Sequence, residues 1–291
     1  MGTTMPTPSP KKTPTNDPLP PLELLGDGAA EDYETGPPEK FVPSGVQALD
    51  NIILGAVAGE ILLVAGRPGE GKTSLAIQWA TQEAQNGGSS AILSMEMGRR
   101  ALRNRLISGI TGIPMQMLRT RQWASKEHKR KAIEAAEYLA SIPLYVDDRS
   151  GLDASQVYNA IISWKKRGIT LGMIDYIQRM GGVSESRVQQ VGDGVRAIKN
   201  GAKDADLPII AISSLNRTGA GSETPKLSHL RDSGDLEFEA DTILMFHYPK
   251  DDLYEDIRVC DIHVMKARNG PTGVASVQFH KSATRFEDIP E

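Results

Sequence analysis

The octapeptide Gly66-Arg67-Pro68-Gly69-Glu70-Gly71-Lys72-Thr73 constrains this chain more than any other part of it. It fits G-x-x-x-x-G-K-[ST] in full, with Ser74 next in the same turn. The glycines free backbone N–H groups to wrap a polyphosphate, and a helix starting near Lys72 points its positive dipole end at the anion. Lys72 reaches the β and γ phosphates, and the Thr73 hydroxyl is a candidate ligand for Mg²⁺. The flanks agree: ILLVAG precedes the loop as a strand, and SLAIQWA follows as a helix with Leu75 and Trp79 on one face. ATP and Mg²⁺ are the expected ligands, and Gly66 to Ser74 the expected ATP-binding residues.

Such a loop needs a particular scaffold, and the rest of the chain supplies it. Candidate strands are Glu60–Gly66, Ala91–Met95, Leu144–Asp147, Thr170–Asp175, Pro208–Ser213, Ala240–His247, Asp261–Lys266 and Ala275–His280. Helical patterns over Ser74–Gln85, Ala101–Ser108, Lys126–Ala140, Ala154–Lys166 and Val188–Ala205 fill most of the gaps. This alternation predicts an α/β fold with a mainly parallel sheet and helices on both faces. After Pro208 the helices fade and the strands close up, so a β-hairpin edge is expected there. Residues 41–291 are expected to form one globular domain. Residues 1–40 are read as a mostly disordered tail, because ten of the 18 prolines fall between Met1 and Pro43 and little apolar surface is available to offset ordering. Within the tail, the short element Leu19–Leu25 could dock on a partner, although it reads more readily as linker alone.

Composition excludes little. The net charge of -4 gives no bulk attraction to nucleic acid, which leaves only local basic surfaces for that purpose. One cysteine, Cys260, allows no internal disulfide and fits a reducing, cytoplasmic setting. Neither a secretory signal nor a stretch long enough to span a bilayer is evident. From Gly98 to Lys131, ten Arg or Lys stand against the single acid Glu127, a run that suits either a partner surface or a solvated helical face. Met95, Met97, Met115 and Met117 read as core filler.

A cation-binding carboxylate should close a buried strand near the phosphate loop. Asp175 does so in Leu171-Gly-Met-Ile-Asp-Tyr, and by position alone Asp147 and Asp148 compete with it. Hydrolysis also requires a group that activates water. Glu96, at the end of AILSM, can face the cradle across the crevice, although by itself it reads more readily as a surface residue.

The ordered set of motifs resembles the C-terminal ATPase domain of the bacterial replicative DNA helicases of the DnaB family, over roughly Pro43 to Pro290. Ser94-Met95-Glu96-Met97 is similar to S-L-E-M, which gives Glu96 the role of catalytic base. Leu144 to Leu152 resembles L-Y-I-D-D-x-x-x-L, and Ile174-Asp175-Tyr176-Ile177-Gln178 resembles the V-D-Y-L-Q Walker B strand, which favours Asp175 over Asp147. Leu230-Arg231-Asp232-Ser233-Gly234 resembles L-R-E-S-G, a segment facing single-stranded DNA. Lys266-Ala-Arg268-Asn-Gly-Pro-Thr-Gly273 resembles K-x-R-N-G-P-T-G, whose lysine and arginine reach the ATP site of the next subunit. Such an arginine contributes roughly 10³–10⁵ in rate. Without the resemblance, Lys266 and Arg268 would read as two solvated cations near a turn.

The resemblance implies a RecA-like P-loop NTPase fold and a homo-oligomeric ring, expected as a hexamer, that moves on single-stranded DNA and unwinds duplex, with a loader or primase as a further partner. The expected DNA-facing residues are Arg187, Arg217, Lys226, Arg231, Asp232 and Gly234, on two loops without aromatic side chains, so recognition would rest on phosphates. Three departures stand out. Ser214 replaces the γ-phosphate-sensing glutamine of S-Q-L-N-R, which leaves Ser214 and Asn216 as the sensor candidates. The family's helical N-terminal domain has no counterpart in the proline-rich start, and only Leu19–Leu25 is available to stand for its linking helix. A recombination ATPase of the RecA/RadA kind is the nearer alternative, disfavoured by the K-A-R-N-G-P-T-G and L-R-D-S-G runs. An ATP-switched replication scaffold is the more distant one.

Overall fold

The computed structural model describes residues 29–36, 39–175, 177–181, 186–215, 224–230, 233–249 and 255–290. The Leu19–Leu25 segment lies outside them. Residues 1–39 and 40–291 are separate units. In the first, the good helix formers of AAEDYET make helix α1 (Ala29–Thr35) inside the stretch expected to be tail.

The second unit opens with a short ribbon, β1 (Phe41–Val42) against β2 (Ala56–Val57), with α2 (Gln47–Ile53) between them. There follow β3 (Ile61–Gly66), α3 (Lys72–Gln85), β4 (Ser90–Ser94), α4 (Arg99–Thr111), α5 (Met115–Thr120), α6 (Lys126–Ser141) and β5 (Leu144–Asp147). Next come α7 (Ala154–Lys166), β6 (Leu171–Asp175), α8 (Arg187–Ala205), β7 (Ile209–Ser214), α9 (Ser233–Glu239) and β8 (Thr242–His247). The chain ends in β9 (Ile257–Ala267), β10 (Gly273–His280) and β11 (Arg285–Asp288).

Nine of these strands form one sheet in the order β11-β10-β9-β8-β3-β7-β6-β4-β5. From β5 to β8 all neighbours are parallel, and β9, β10 and β11 add on antiparallel. The loop-bearing strand β3 is therefore central, and its six residues are all buried. Period-two alternation splits them between two cores. Ile61, Leu63 and Ala65 pack with α7 and α8 residues such as Trp164 and Ile198. Leu62 and Val64 pack on the other face with Leu75, Trp79 and Leu106 of α3 and α4. Trp79 is fully buried, and its indole N–H donates to Val42 O at 2.9 Å.

The mainly parallel α/β sheet and its antiparallel C-terminal edge match the expectation. Differences lie in short or flanking pieces. The phosphate-loop helix begins at Lys72 rather than Ser74, α4 runs three residues past Ser108, and β9 begins at Ile257 rather than Asp261. No periodic signal marks β1, β2, α2, α5, α9 or β11 in the sequence, each being seven residues or fewer. Among the expected core methionines, Met95 is buried, Met97 packs on the edge of the core where it also lines the cleft, and Met117 packs on a smaller core with Ile107 and Leu118. None of the described helices is long and apolar enough to cross a membrane.

Candidate functional site

Between β3 and α3 the octapeptide folds into a loop whose shape depends on two left-handed glycines, Gly69 at φ 83° and Gly71 at φ 95°. At Gly71 a Cβ would also come within 2.7 Å of the Phe286 ring, so this position is closed to any side chain on two counts. Phe286 is itself fixed by stacking on Phe279 at 4.5 Å. The antiparallel edge clamps the loop a second time. Tyr248, just after β8, donates its hydroxyl to Glu70 O at 2.6 Å, and the Arg258 guanidinium lies 3.9 Å from the Tyr248 ring centroid. The Glu70 carboxylate closes the loop from inside by accepting the Arg67 N–H at 2.5 Å, and burial raises its pKa.

The loop floors a cleft of about 320 Å³, and side chains from several strand ends converge there. Lys72 is buried, and its ammonium donates to Arg67 O at 2.7 Å. Burial lowers its pKa, against the opposing pull of Glu70, Asp175 and Glu96. The Thr73 hydroxyl donates to Asp175 Oδ2 at 2.9 Å. Asp175 ends β6 and is 1% exposed, and burial pushes its carboxyl up to about 6, helped by the nearby Glu96 charge and opposed by the Thr73 hydrogen bond. Glu96 lies two residues beyond the end of β4, exposed on the cleft wall. Hydroxyl and carboxylate oxygens this close, at the foot of a polyphosphate-shaped loop, form a hard donor set that fits Mg²⁺.

The rival carboxylates are elsewhere. Asp147 is held by the Arg149 guanidinium at 2.5 and 2.9 Å, and Asp148 accepts the Arg99 N–H at the start of α4 at 2.9 Å. Neither lines the cleft.

Arg105 of α4 was missed by sequence reasoning. It projects into the cleft, where burial lowers its pKa while Asp175 and Glu96 favour its charge. It belongs to the basic run after Gly98. Its spacing of three from the buried Leu102 marked it as sheet-facing, a signal that the nine other basic residues of the run obscured. The rest of the run divides between uses. Arg130 pairs along α6 with Glu127 and Glu134 as a solvated face, and Arg103, Arg121 and Lys129 rim a separate hollow over Leu118. Lys281 and Thr284, between β10 and β11, also border the cleft and were not anticipated.

Ser214, the last residue of β7, lines the cleft as well. Its N–H donates to Gln178 Oε1 at 3.4 Å, and Gln178 in turn donates to Ser213 Oγ at 2.8 Å, so a buried glutamine ties β7 to the end of β6. Lys266 and Arg268 sit far from their own loop. Lys266 pairs with Ile243 near the start of β8, whereas the phosphate loop follows the far end of the parallel β3. The Lys266 ammonium donates to Glu237 O at 2.7 Å at the end of α9, and Arg268 pairs with the buried Asp241 at 3.2 Å. Of the expected DNA-facing residues, Lys226 and Gly234 are exposed and Arg187 begins α8. Arg217, Arg231, Asp232 and the sensor candidate Asn216 lie outside the described residues.

The central parallel sheet, the phosphate loop after β3 and an acidic strand end beside it define a RecA-like P-loop ATPase. Residues 42–288 match the family model of the DnaB-like helicase C terminal domain. The chain belongs to that family, whose members are ATP-hydrolysing P-loop helicases. It is 35% identical over 263 residues to the replicative DNA helicase DnaB of Leifsonia xyli, covering 85% of this chain and 56% of that protein. Against the replicative DNA helicase DnaC of Bacillus subtilis it is 32% identical, again covering 85% and 56%. Thus the chain spans a little over half the length of these relatives. A solved DnaB-like replicative helicase, described with its primase interactions, superposes with a TM-score of 0.80 at 27% identity, covering 93% of this chain and 68% of its own.

Proposed function

We propose that this chain is the motor of a replicative-type DNA helicase, with residues 41–291 as the motor domain and residues 1–40 as a tail. It assembles as a ring, expected to be a hexamer, hydrolyses ATP at subunit interfaces and translocates on single-stranded DNA. The observation that carries this reading is the separation, within one chain, of the phosphate loop from Lys266 and Arg268 at the opposite end of the sheet. Two cations on strand ends facing away from their own cleft are useful to catalysis only in a neighbour's cleft.

Within one subunit the division of work follows from position. The loop amides and Lys72 hold the β and γ phosphates. Thr73 and Asp175 would hold Mg²⁺, which would neutralise phosphate charge. The Glu96 carboxylate takes the proton of the attacking water, and Arg105 holds the γ-phosphate oxygens from the α4 side. Arg268 of the adjacent subunit, with Lys266, meets the charge that develops on transfer. Lys226, Gly234, Arg187, Arg217, Arg231 and Asp232 would track the DNA backbone, with affinity that falls as salt rises. A primase or loader is the natural further partner, since the solved relative is described with primase.

Complementation at the interface tests this. Glu96→Gln and Arg268→Ala subunits should each bind ATP and turn over at least about 100-fold more slowly. Mixed in one ring, they should regain part of the DNA-stimulated hydrolysis at interfaces that pair an intact Glu96 with an intact Arg268. Mixed rings that stay inactive would refute action in trans. Hydrolysis by wild-type rings that ignores DNA would favour the scaffold reading, and Ser214 would be the residue to examine.

A further inference from the structure

Strands β8 and β9 carry a second cluster of chemically active side chains, apart from the cleft. His247 and Asp261 are cross-strand partners, and His263, two residues along β9, faces Met245. A residue, its partner and the residue two further on share one face of a sheet. Leu244, Phe246, Cys260, Ile262 and Val264 fill the core on the other face, so all three polar residues project away from it. One ligand atom from each lies within 4.8 Å of the others. His247 Nδ1 is 4.0 Å from Asp261 Oδ2, and the two imidazoles meet edge-on with centroids 5.7 Å apart. Ser276 of β10 donates to Asp261 Oδ1 at 2.6 Å, which fixes the carboxylate and leaves Oδ2 on the histidine side.

A second observation points to a ligand. His263 Nε2 is buried and has no hydrogen-bond partner among the described residues. Leaving such an atom unpaired is costly, and a bound cation is one way to satisfy it.

We propose that His247, Asp261 and His263 bind a transition-metal dication of the Zn²⁺ class, with water in the remaining position. Two imidazoles and one carboxylate suit zinc and its neighbours and are poor ligands for Mg²⁺ or Ca²⁺. A tetrahedral zinc ion places its donors roughly 3.4 Å apart, so side-chain rotations of about 1 Å close the site. Ser276 supplies the outer hydrogen bond that such carboxylates need. The ion would staple β8 to β9, the strand whose far end carries Lys266 and Arg268. This site is separate from Thr73 and Asp175 and does not depend on the proposed motor activity.

The test is calorimetric titration of Zn²⁺ into the full chain, stripped with a chelator and free of nucleotide. One ion per chain is expected, with a rise in Tm and, when Co²⁺ is used as the probe, the visible absorption of a tetrahedral site. His263→Leu and His247→Leu should each weaken binding at least about tenfold and abolish the Tm rise. Asp261→Asn, which keeps the Ser276 hydrogen bond, should do the same if a leucine variant fails to fold. Each variant should still bind nucleotide as the wild type does. No zinc binding, or binding unchanged in all three variants, would overturn the site.

Discussion

At the residue scale, the cleft holds a carboxylate whose burial outweighs the Lys72 and Arg105 charges beside it. Asp175 titrates at about 6 in the folded chain against an ordinary 3.8. Between those values the folded state binds more protons than the unfolded one, so its contribution to stability falls as pH rises from about 4 to 6 and is flat above. Asp175→Asn removes this loss. Without nucleotide or divalent cation, the variant should be more stable than wild type above pH 6, by up to about 3 kcal/mol, with the advantage gone near pH 4. Thermal unfolding across that range measures it, and the same variant should lose Mg²⁺-dependent hydrolysis. Arg105 stands in the opposite position, a cation held near Asp175 and Glu96. Arg105→Ala should leave nucleotide affinity within a few-fold and lower turnover by about 100-fold or more. Equal loss in binding and turnover would make Arg105 a binding residue only.

At the element scale, the buried Asp241 organises the base of the sheet. Its carboxylate accepts the Ile61 N–H at 2.9 Å and the Lys199 ammonium at 2.5 Å, and it pairs with Arg268 at 3.2 Å. One side chain thus ties the first residue of β3 to α8, β8 and the turn after β9. Asp241→Ala strands these donors and should destabilise the fold by about 3–5 kcal/mol, measurable by denaturant titration. Nothing in the sequence around Asp241 distinguished it from a surface acid, because its partners are 180 and 42 residues away. Legibility followed the range of the interactions. The phosphate loop, the alternation of β3 to β7 and the acidic end of β6 are local patterns, readable from a dozen residues. The choice of Asp175 over Asp147, by contrast, rested on a resemblance until strand order separated them. Arg105 needed the direction of one helix face, and the Tyr248 and Phe286 clamps needed the far side of the sheet, where Tyr248 reaches the loop at Glu70 and β11 packs on α3. The His247, Asp261 and His263 cluster arises only from the register between two strands.

At the scale of the whole molecule, the sheet has a reactive end and a donor end. The phosphate loop, Glu96 and Asp175 gather at one, and Lys266 and Arg268 leave from the other. In the proposed closed ring of identical chains, each donor end would meet the next reactive end and no interface would be left unmatched. The salt bridge between Arg268 and Asp241 then acquires a meaning in time. An arginine engaged with a neighbour's phosphates has to loosen its hold on Asp241, and Asp241 anchors the first residue of the strand that carries its own subunit's loop. In the proposed ring each arginine would trade its Asp241 partner for a neighbour's phosphates while Ile61 N–H and Lys199 stay on that carboxylate, so a single side chain would link the filling of one cleft to the root of the strand that carries the next.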